Sequence, residues 1–399
     1  GTSPRLRPSM LFGMEDDRRQ PDVVTCEAVA AWDPEPSVDD RALFLDLVST
    51  ELKPGQVERV LTPPVVYPTQ RSIMALHWHP EFIPTALIRR RLEAAFPAAT
   101  TELVVPTDHN VLRVWDGYAG VEVDCYSSGF KRKVQLLVHL HADKVEKAGV
   151  FKAMLRHTFG YRARQLLELV DTITHPVHND RVDVAAAKTG VNPETVEFAR
   201  YHVRKFRRLL EEFEDSIAPE VLKNRLLRDW MELQQLEYNP RLVSRALVFV
   251  SAVKNLVKAD LNLDYFYRAS NVIEEVRSLG GGIVVPHPEQ FWPILLADYD
   301  VDGFEVWNPQ SREYTDFLIY VVNRENHSRR HYSRPWLIFM GDDAHMSEKV
   351  RDPRVQDPHK LTREVGVQPP WEDPEISATL VAAGVTKEKV IAEYAARLA

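Results

Sequence analysis

This sequence predicts an α/β fold of the (β/α)-barrel type with a large helical insertion. Three observations predict it. Histidines and acids recur where short apolar runs end. Strand-like and helix-like patterns alternate over 72–145 and return over 265–350. The block between them is helical in pattern and poor in glycine. A (β/α) barrel gathers its chemistry at the C-terminal ends of its strands, so strand-end imidazoles and carboxylates belong at one face.

The elements follow in order. Residues 1–70 read as an N-terminal extension, Pro-rich at both ends, with helical spacing of Leu43, Leu47 and Val48 over 39–52. A buried strand is expected over 73–76 and an amphipathic helix over 84–96, its apolar face built by Leu87, Ile88, Leu92 and Phe96. The next strand is 103–105. Segments 121–125 and 134–140 read as a strand pair turned at Ser127-Ser128-Gly129. Helices are expected over 162–170, 193–213, 219–236 and 241–257, with Pro193 at the first turn of one. We therefore divide the chain into a metal-binding barrel (71–145 and 265–350), a helical insertion or cap (146–264), and a C-terminal tail (351–399). The barrel resumes with a helix over 269–279, stopped by Gly280-Gly281-Gly282, then strands over 283–285, 303–307 and 336–340 and a helix over 314–323. A closing helix over 386–398 offers Val390, Ile391 and Ala395 for docking.

Composition narrows the function. The chain has 399 residues, 44% hydrophobic and 27% charged, which suits a globular protein with a large core. No apolar run approaches the roughly 20 residues of a membrane span. The polar start, without an apolar h-region, predicts no secretory signal. Cys26 and Cys125 form no disulfide framework and no metal-type spacing, which suits the cytoplasm. A net charge of −8 disfavours a nucleic-acid partner, although local charge could still bind one.

The chemistry resides in six short units. His77 and His79, at i and i+2 of a strand end, point to one face and can chelate one ion. Asp343 and His345 repeat that spacing and add a carboxylate. Glu122, between Val121 and Val123, is a lone acid in an apolar strand, so it needs a cation beside it. In Thr107-Asp108-His109, one side chain reads as a ligand and the other as its orienting partner. Of His139 and His141, His139 is favoured as a ligand. His287 follows an apolar run between two prolines.

In this order the units resemble the PHP (polymerase and histidinol phosphatase) superfamily of metal-dependent phosphoesterases. That pattern runs His-X-His, Thr-Asp-His, Gly-X-Glu, an apolar strand with His, His-Pro, and Ser-Asp-X-His. The matches are His77/His79, Thr107-Asp108-His109, Gly120-Val121-Glu122, His139, His287-Pro288 and Gly341 to His345. The resemblance implies a distorted (β/α)7 barrel with two or three divalent metal ions (Mn, Zn, Fe or Mg). It implies that His77, His79, Glu122 and Asp343 hold one ion, that Glu122, His139 and His287 hold a second, and that His109 and His345 hold a third. Two departures stand out. Pro84 and Thr85 occupy the place of a further His or Asp ligand, leaving Glu81 as the nearest substitute. Glu122 follows His109 by only 13 residues, too few for the barrel helix usual there.

The implied activity is hydrolysis of a small phosphomonoester, a nucleotide or sugar phosphate, by metal-activated hydroxide. His345 or His109 would protonate the leaving group, with Asp108 beside them. Arg113, Arg132 and Arg334 are the candidate phosphate clamps, with Arg324, Arg329 and Arg330 before the last strand. Trp115, Tyr118, Trp292, Trp307 and Tyr332 either stack on a ring or fill the core. The basic residues of the insertion, Arg200 to Arg208, form a salt-bridged exposed helix or grip an RNA end. Competing functions are an exonuclease trimming nucleic-acid ends and a non-catalytic PHP-like binding module.

Overall fold

The computed structural model describes residues 25–329 and 334–399. Ten strands lie in this part: β1 (Ser72–Ala75), β2 (Trp78–His79), β3 (Thr101–Val104), β4 (Arg113–Trp115), β5 (Tyr118–Ser127), β6 (Arg132–His141), β7 (Gly282–Val285), β8 (Gly303–Trp307), β9 (Leu337–Met340) and β10 (Ala344–His345). β1 pairs with β3 and β10 with β2, both parallel. The other six form one sheet in the order β4-β5-β6-β7-β8-β9.

Backbone hydrogen bonds join the three sheets end to end. Thr107 N donates to Trp78 O (2.7 Å), and Asn110 N to Glu122 O (2.8 Å), which ties the segment after β3 to β5. Gly341 N donates to Trp307 O (2.8 Å) and Asp343 N to His77 O (2.7 Å), which ties the end of β9 to the segment after β1.

Strand polarity within the large sheet is mixed. β7, β8 and β9 are parallel, whereas β6 is antiparallel to both β5 and β7. The C-terminal end of β6 therefore lies opposite the C-terminal ends of its neighbours. The short connection between His109 and Glu122 is filled by β4 and a tight hairpin, Trp115 opposite Tyr118. Asp116 and Gly117, at φ 41° and 86°, make its two-residue turn. Asp-Gly with both φ positive matches the twist of a strand pair.

Three bodies of core surround this frame, one of them around β1 and β3 with Ile73, Trp78, Ile88 and Val104. The β5–β9 strands pack with the closing helix Lys387–Leu398, which contributes Val390, Ile391, Tyr394 and Leu398, while Ala395 stays half-buried. Five helices between Tyr161 and Ala259 have a separate core containing Leu169, Phe206, Trp230 and Phe249, whereas Gly149–Phe159 packs Phe151, Met154 and Leu155 on the core of the large sheet. The N-terminal helix Val38–Val48 joins the core of the five helices through Phe44 and Val48. It is shorter than expected because the backbone turns extended at Ser49 (ψ 132°). A further helix, Pro54–Leu61, and the insertion helices Gly149–Phe159 and Asn179–Thr189 went unread in the sequence. Four of the five Lys and Arg side chains of Pro193–Glu212 are engaged in ion pairs: Arg200 with Glu197, Lys205 with Asp40, Arg207 with Glu211 and Arg208 with Glu35. Among the described residues, no helix is long and apolar enough to cross a membrane.

Candidate metal centre

Three groups of side chains converge, each with one ligand atom per residue and those atoms within 4.8 Å of one another. They are His77, His79 and Asp343; His77, Glu122 and His287; and His79, His109 and His345. His77 and His79 share one face because they flank a single residue of extended chain. Their neighbours arrive from other strand ends: Glu122 from β5, His287 after β7, Asp343 and His345 around β10. His79 stacks between His345 (4.2 Å between centroids) and His109 (4.5 Å). Three residues here hold left-handed backbone: Glu81 (φ 53°), His287 (φ 28°) and Asp343 (φ 46°). Such strained conformations cost about 1–3 kcal/mol each and persist where the surroundings impose them.

The acids are the centre's electrostatic anchors. Glu122 is 1% exposed, yet its carboxyl lies well below the usual range. Burial pushes it up, but His109 at 2.8 Å, with His287 and His77, pulls it down further. Asp343 behaves the same way: burial opposes ionisation and His77, His345 and His79 overcome it. Burial and the neighbouring His345 and His109 hold His79 down to about 3, so its imidazole is neutral with a lone pair to offer. Burial and Arg162 hold His109 down to about 4. His77 is raised to about 10: burial lowers it, but Glu305, Asp343 and Glu122 more than compensate. Negative surroundings that hold a proton on His77 would equally hold a cation, which competes for the same lone pair.

The donor set fits divalent transition ions. Both ring nitrogens of His79 and Nδ1 of His287 are buried without a hydrogen-bond partner, while Nδ1 of His109 and Oε2 of Glu122 lie 2.8 Å from each other. Buried polar atoms are normally satisfied, so three orphaned ring nitrogens beside a buried carboxylate mark a place for an ion. Imidazole and carboxylate together suit Zn, Mn or Fe.

Several expected residues fall elsewhere. His139 is apart from the three groups: its Nε2 meets Leu76 O (2.9 Å) and its Nδ1 the Tyr394 hydroxyl (2.8 Å). The cause is strand polarity, since β6 runs against β5 and β7 and places His139 beside Gly120 and Gly282, at the opposite end of β7 from the one leading to His287. His141 is exposed and pairs with Asp143. Asp108 accepts from Glu81 N (3.0 Å) and from Arg113 Nε (2.7 Å), so it positions the Glu81 loop and is absent from the three groups. Glu81 is also absent from them. Its carboxylate, pushed up by burial but held well below its ordinary range by Lys223 and His345, pairs with Lys223 (3.1 Å) and the Ser347 hydroxyl. His345 Nδ1 lies 3.6 Å from it. Arg132 is exposed at the tip of the β5–β6 hairpin, and Arg334 is exposed before β9. Arg330 and Tyr332 lie outside the described residues. Trp115 and Trp307 are buried, and Tyr118 and Trp292 pack on the core, so these aromatics pack within the fold.

Glu305 on β8 is the main residue the sequence reading missed. Its Oε1 lies 2.5 Å from His77 Nδ1, and its Oε2 accepts from His287 N (2.9 Å). It thereby orients two histidines at once. The signal was available: a lone acid amid Gly303-Phe304-Glu305-Val306-Trp307, the pattern that singled out Glu122. Gly341 makes room for it, since a Cβ there would meet the Glu305 carboxylate at 2.2–2.6 Å. Gln310 and Arg363 hold Asp343 Oδ2 (2.8 and 2.7 Å). Glu305→Gln is expected to weaken metal affinity by roughly 10- to 100-fold, measured by competition with a chelator. Unchanged affinity would remove Glu305 from this role.

Beside the centre lies a cavity of about 290 Å³ that is rich in cations. Arg162, Lys223, Lys258 and Lys360 line it together with His109 and His345. Lys360 Nζ is 3.4 Å from His345 Nε2.

No family profile and no curated protein matches this sequence. Among solved structures, a provisionally named metal-dependent phosphoesterase from Bifidobacterium adolescentis is similar, at 15% identity and a TM-score of 0.39 over 81% of this chain and 99% of that one. A likeness of that degree carries no argument.

Proposed function

We propose that this chain is a metal-dependent hydrolase that cleaves a small phosphomonoester, such as a nucleotide or sugar phosphate. We further read the joined sheets as a distorted (β/α)7 barrel of the PHP type, capped by the helices of 146–264. The carrying observation is the contact between a buried imidazole–carboxylate cluster and a cation-lined cavity. A phosphomonoester needs both: ligands for its activating ions and positive charge for its dianion.

His77, His79 and Asp343, then His77, Glu122 and His287, then His79, His109 and His345 would hold the ions. Bound divalent ions would supply Lewis acidity toward phosphoryl oxygens and a water acidified toward neutral pH. The protein's own groups do the rest. Glu305 fixes the ring of His77 and the backbone that carries His287. Arg162, Lys223 and Lys360 draw in the phosphate by charge. His109, 22% exposed at its side chain, stands at the cavity wall and joins the third ligand group to the cation-lined space. We place the protein in the cytoplasm, where the free thiols of Cys26 and Cys125 would stay reduced.

The test is phosphate release from nucleotides, sugar phosphates and short oligonucleotides by the manganese-loaded protein, with His77→Ala beside it. Release from one small-molecule class, abolished in the variant, is the expected result. Release from oligonucleotides alone would replace the reading with a nuclease. Silence across the panel with metal bound would end the phosphoester reading.

A further inference from the structure

A second cavity, of about 300 Å³, opens from the same centre and shares Glu81, His109, Arg162 and Lys223 with the first. Its walls are different in kind. Leu43 and Leu47 of the N-terminal helix, Phe82 after β2, Phe159, and Val221 with Leu222 of the insertion all face it, and each is half-buried. Leu43, Leu47, Val221 and Leu222 pack on the core of the cap, and Phe82 on the core around β1 and β3. Apolar side chains from separate parts of the chain thus converge on one space and leave apolar surface unburied there.

Several charges on these walls are paired: Lys53 meets Asp46 (2.5 Å), Arg113 meets Asp108 (2.7 Å), and Arg351 meets Asp229. Arg162 and Lys223 border both cavities, and what this space adds to its cationic neighbour is the apolar surface of Leu43, Leu47, Phe82, Phe159, Val221 and Leu222. An apolar recess with a few convergent polar groups at one end is the usual form of a small-molecule site.

We infer that this recess receives the alcohol portion of the ester, and that this portion is an uncharged group with a bulky apolar face, alkyl or aromatic. The inference rests on the phosphoester reading above and sharpens it: sugar phosphates, polar all round, fit these walls poorly. Leu47 and Leu222, on facing segments, set the preference.

Binding of methylphosphonate and hexylphosphonate to the manganese-loaded full chain, by calorimetry, tests this without turnover. Hexylphosphonate should bind at least about tenfold tighter, since even single methylenes are discriminated in apolar pockets. In Leu47→Ser, and separately in Leu222→Ser, that ratio should fall toward one. Equal affinities in the unaltered protein, or binding of neither, overturn the inference. Phosphate release from hexyl phosphate and glucose 6-phosphate, both esters of primary alcohols, is read separately. Equal kcat/KM for the two sinks the inference and leaves the phosphoester reading standing. Release from neither sinks the phosphoester reading, and the phosphonate ratio alone then decides the recess.

Discussion

Asp343→Asn is expected to lower kcat/KM for the best phosphomonoester by roughly 100- to 1,000-fold. Asp343 Oδ1 faces His77 (3.6 Å), His79 (3.4 Å) and His345 (3.4 Å), so it meets at least one histidine of each of the three groups. Its other oxygen is held by Gln310 and Arg363. Asparagine keeps the shape and removes the negative charge that offsets a divalent ion. The same change leaves Arg363, 7% exposed, beside a neutral amide, which should cost about 1–3 kcal/mol of stability. Activity and thermal unfolding measured together separate the two effects. Near-normal turnover in a folded variant would contradict the assignment.

Trp230→Ala is expected to destabilise the cap by about 3–5 kcal/mol. Trp230 is fully buried, packs against Phe44 and Phe206 at 6.4 Å between centroids, and donates from Nε1 to His202 O (3.1 Å). Removing it opens a cavity where the N-terminal helix meets the insertion and loses the hydrogen bond to His202 O. Urea unfolding followed by fluorescence and circular dichroism should show an earlier transition. A loss under about 1 kcal/mol would mean that this core relaxes around the gap. Lys223 and Leu222 lie just before the helix Asn224–Leu233 that carries Trp230, so KM should rise before folding is lost.

Much of the centre was legible from local pattern. His77 with His79, Glu122, His287 and Asp343 with His345 stood out because an apolar run that ends in an imidazole or contains a lone acid must satisfy it somewhere. That argument knows nothing of strand direction. It therefore placed His139 with the others, although β6 runs the opposite way and buries His139 against Leu76 and Tyr394. It also stopped one acid short, passing over Glu305 in a strand it had recognised. Arg363, Gln310 and Lys360 carried no signal at all, since residues of those types in loops and short helices are ordinarily solvated. The segment from His109 to Glu122 was recognised as too short for a barrel helix, but the β4 hairpin that fills it, readable in Asp116-Gly117, was passed over. The N-terminal helix was anticipated, but its attachment to the insertion core depends on long-range packing of Phe44 and Val48 that no local pattern encodes.

Metal content after exhaustive dialysis, by elemental analysis of the full chain, tests the central claim most directly. About two or three tightly held divalent ions per chain are expected, as in clustered hydrolytic sites, with a clear loss in Asp343→Asn. A folded protein that retains no divalent metal after reconstitution with manganese, zinc or iron would contradict it.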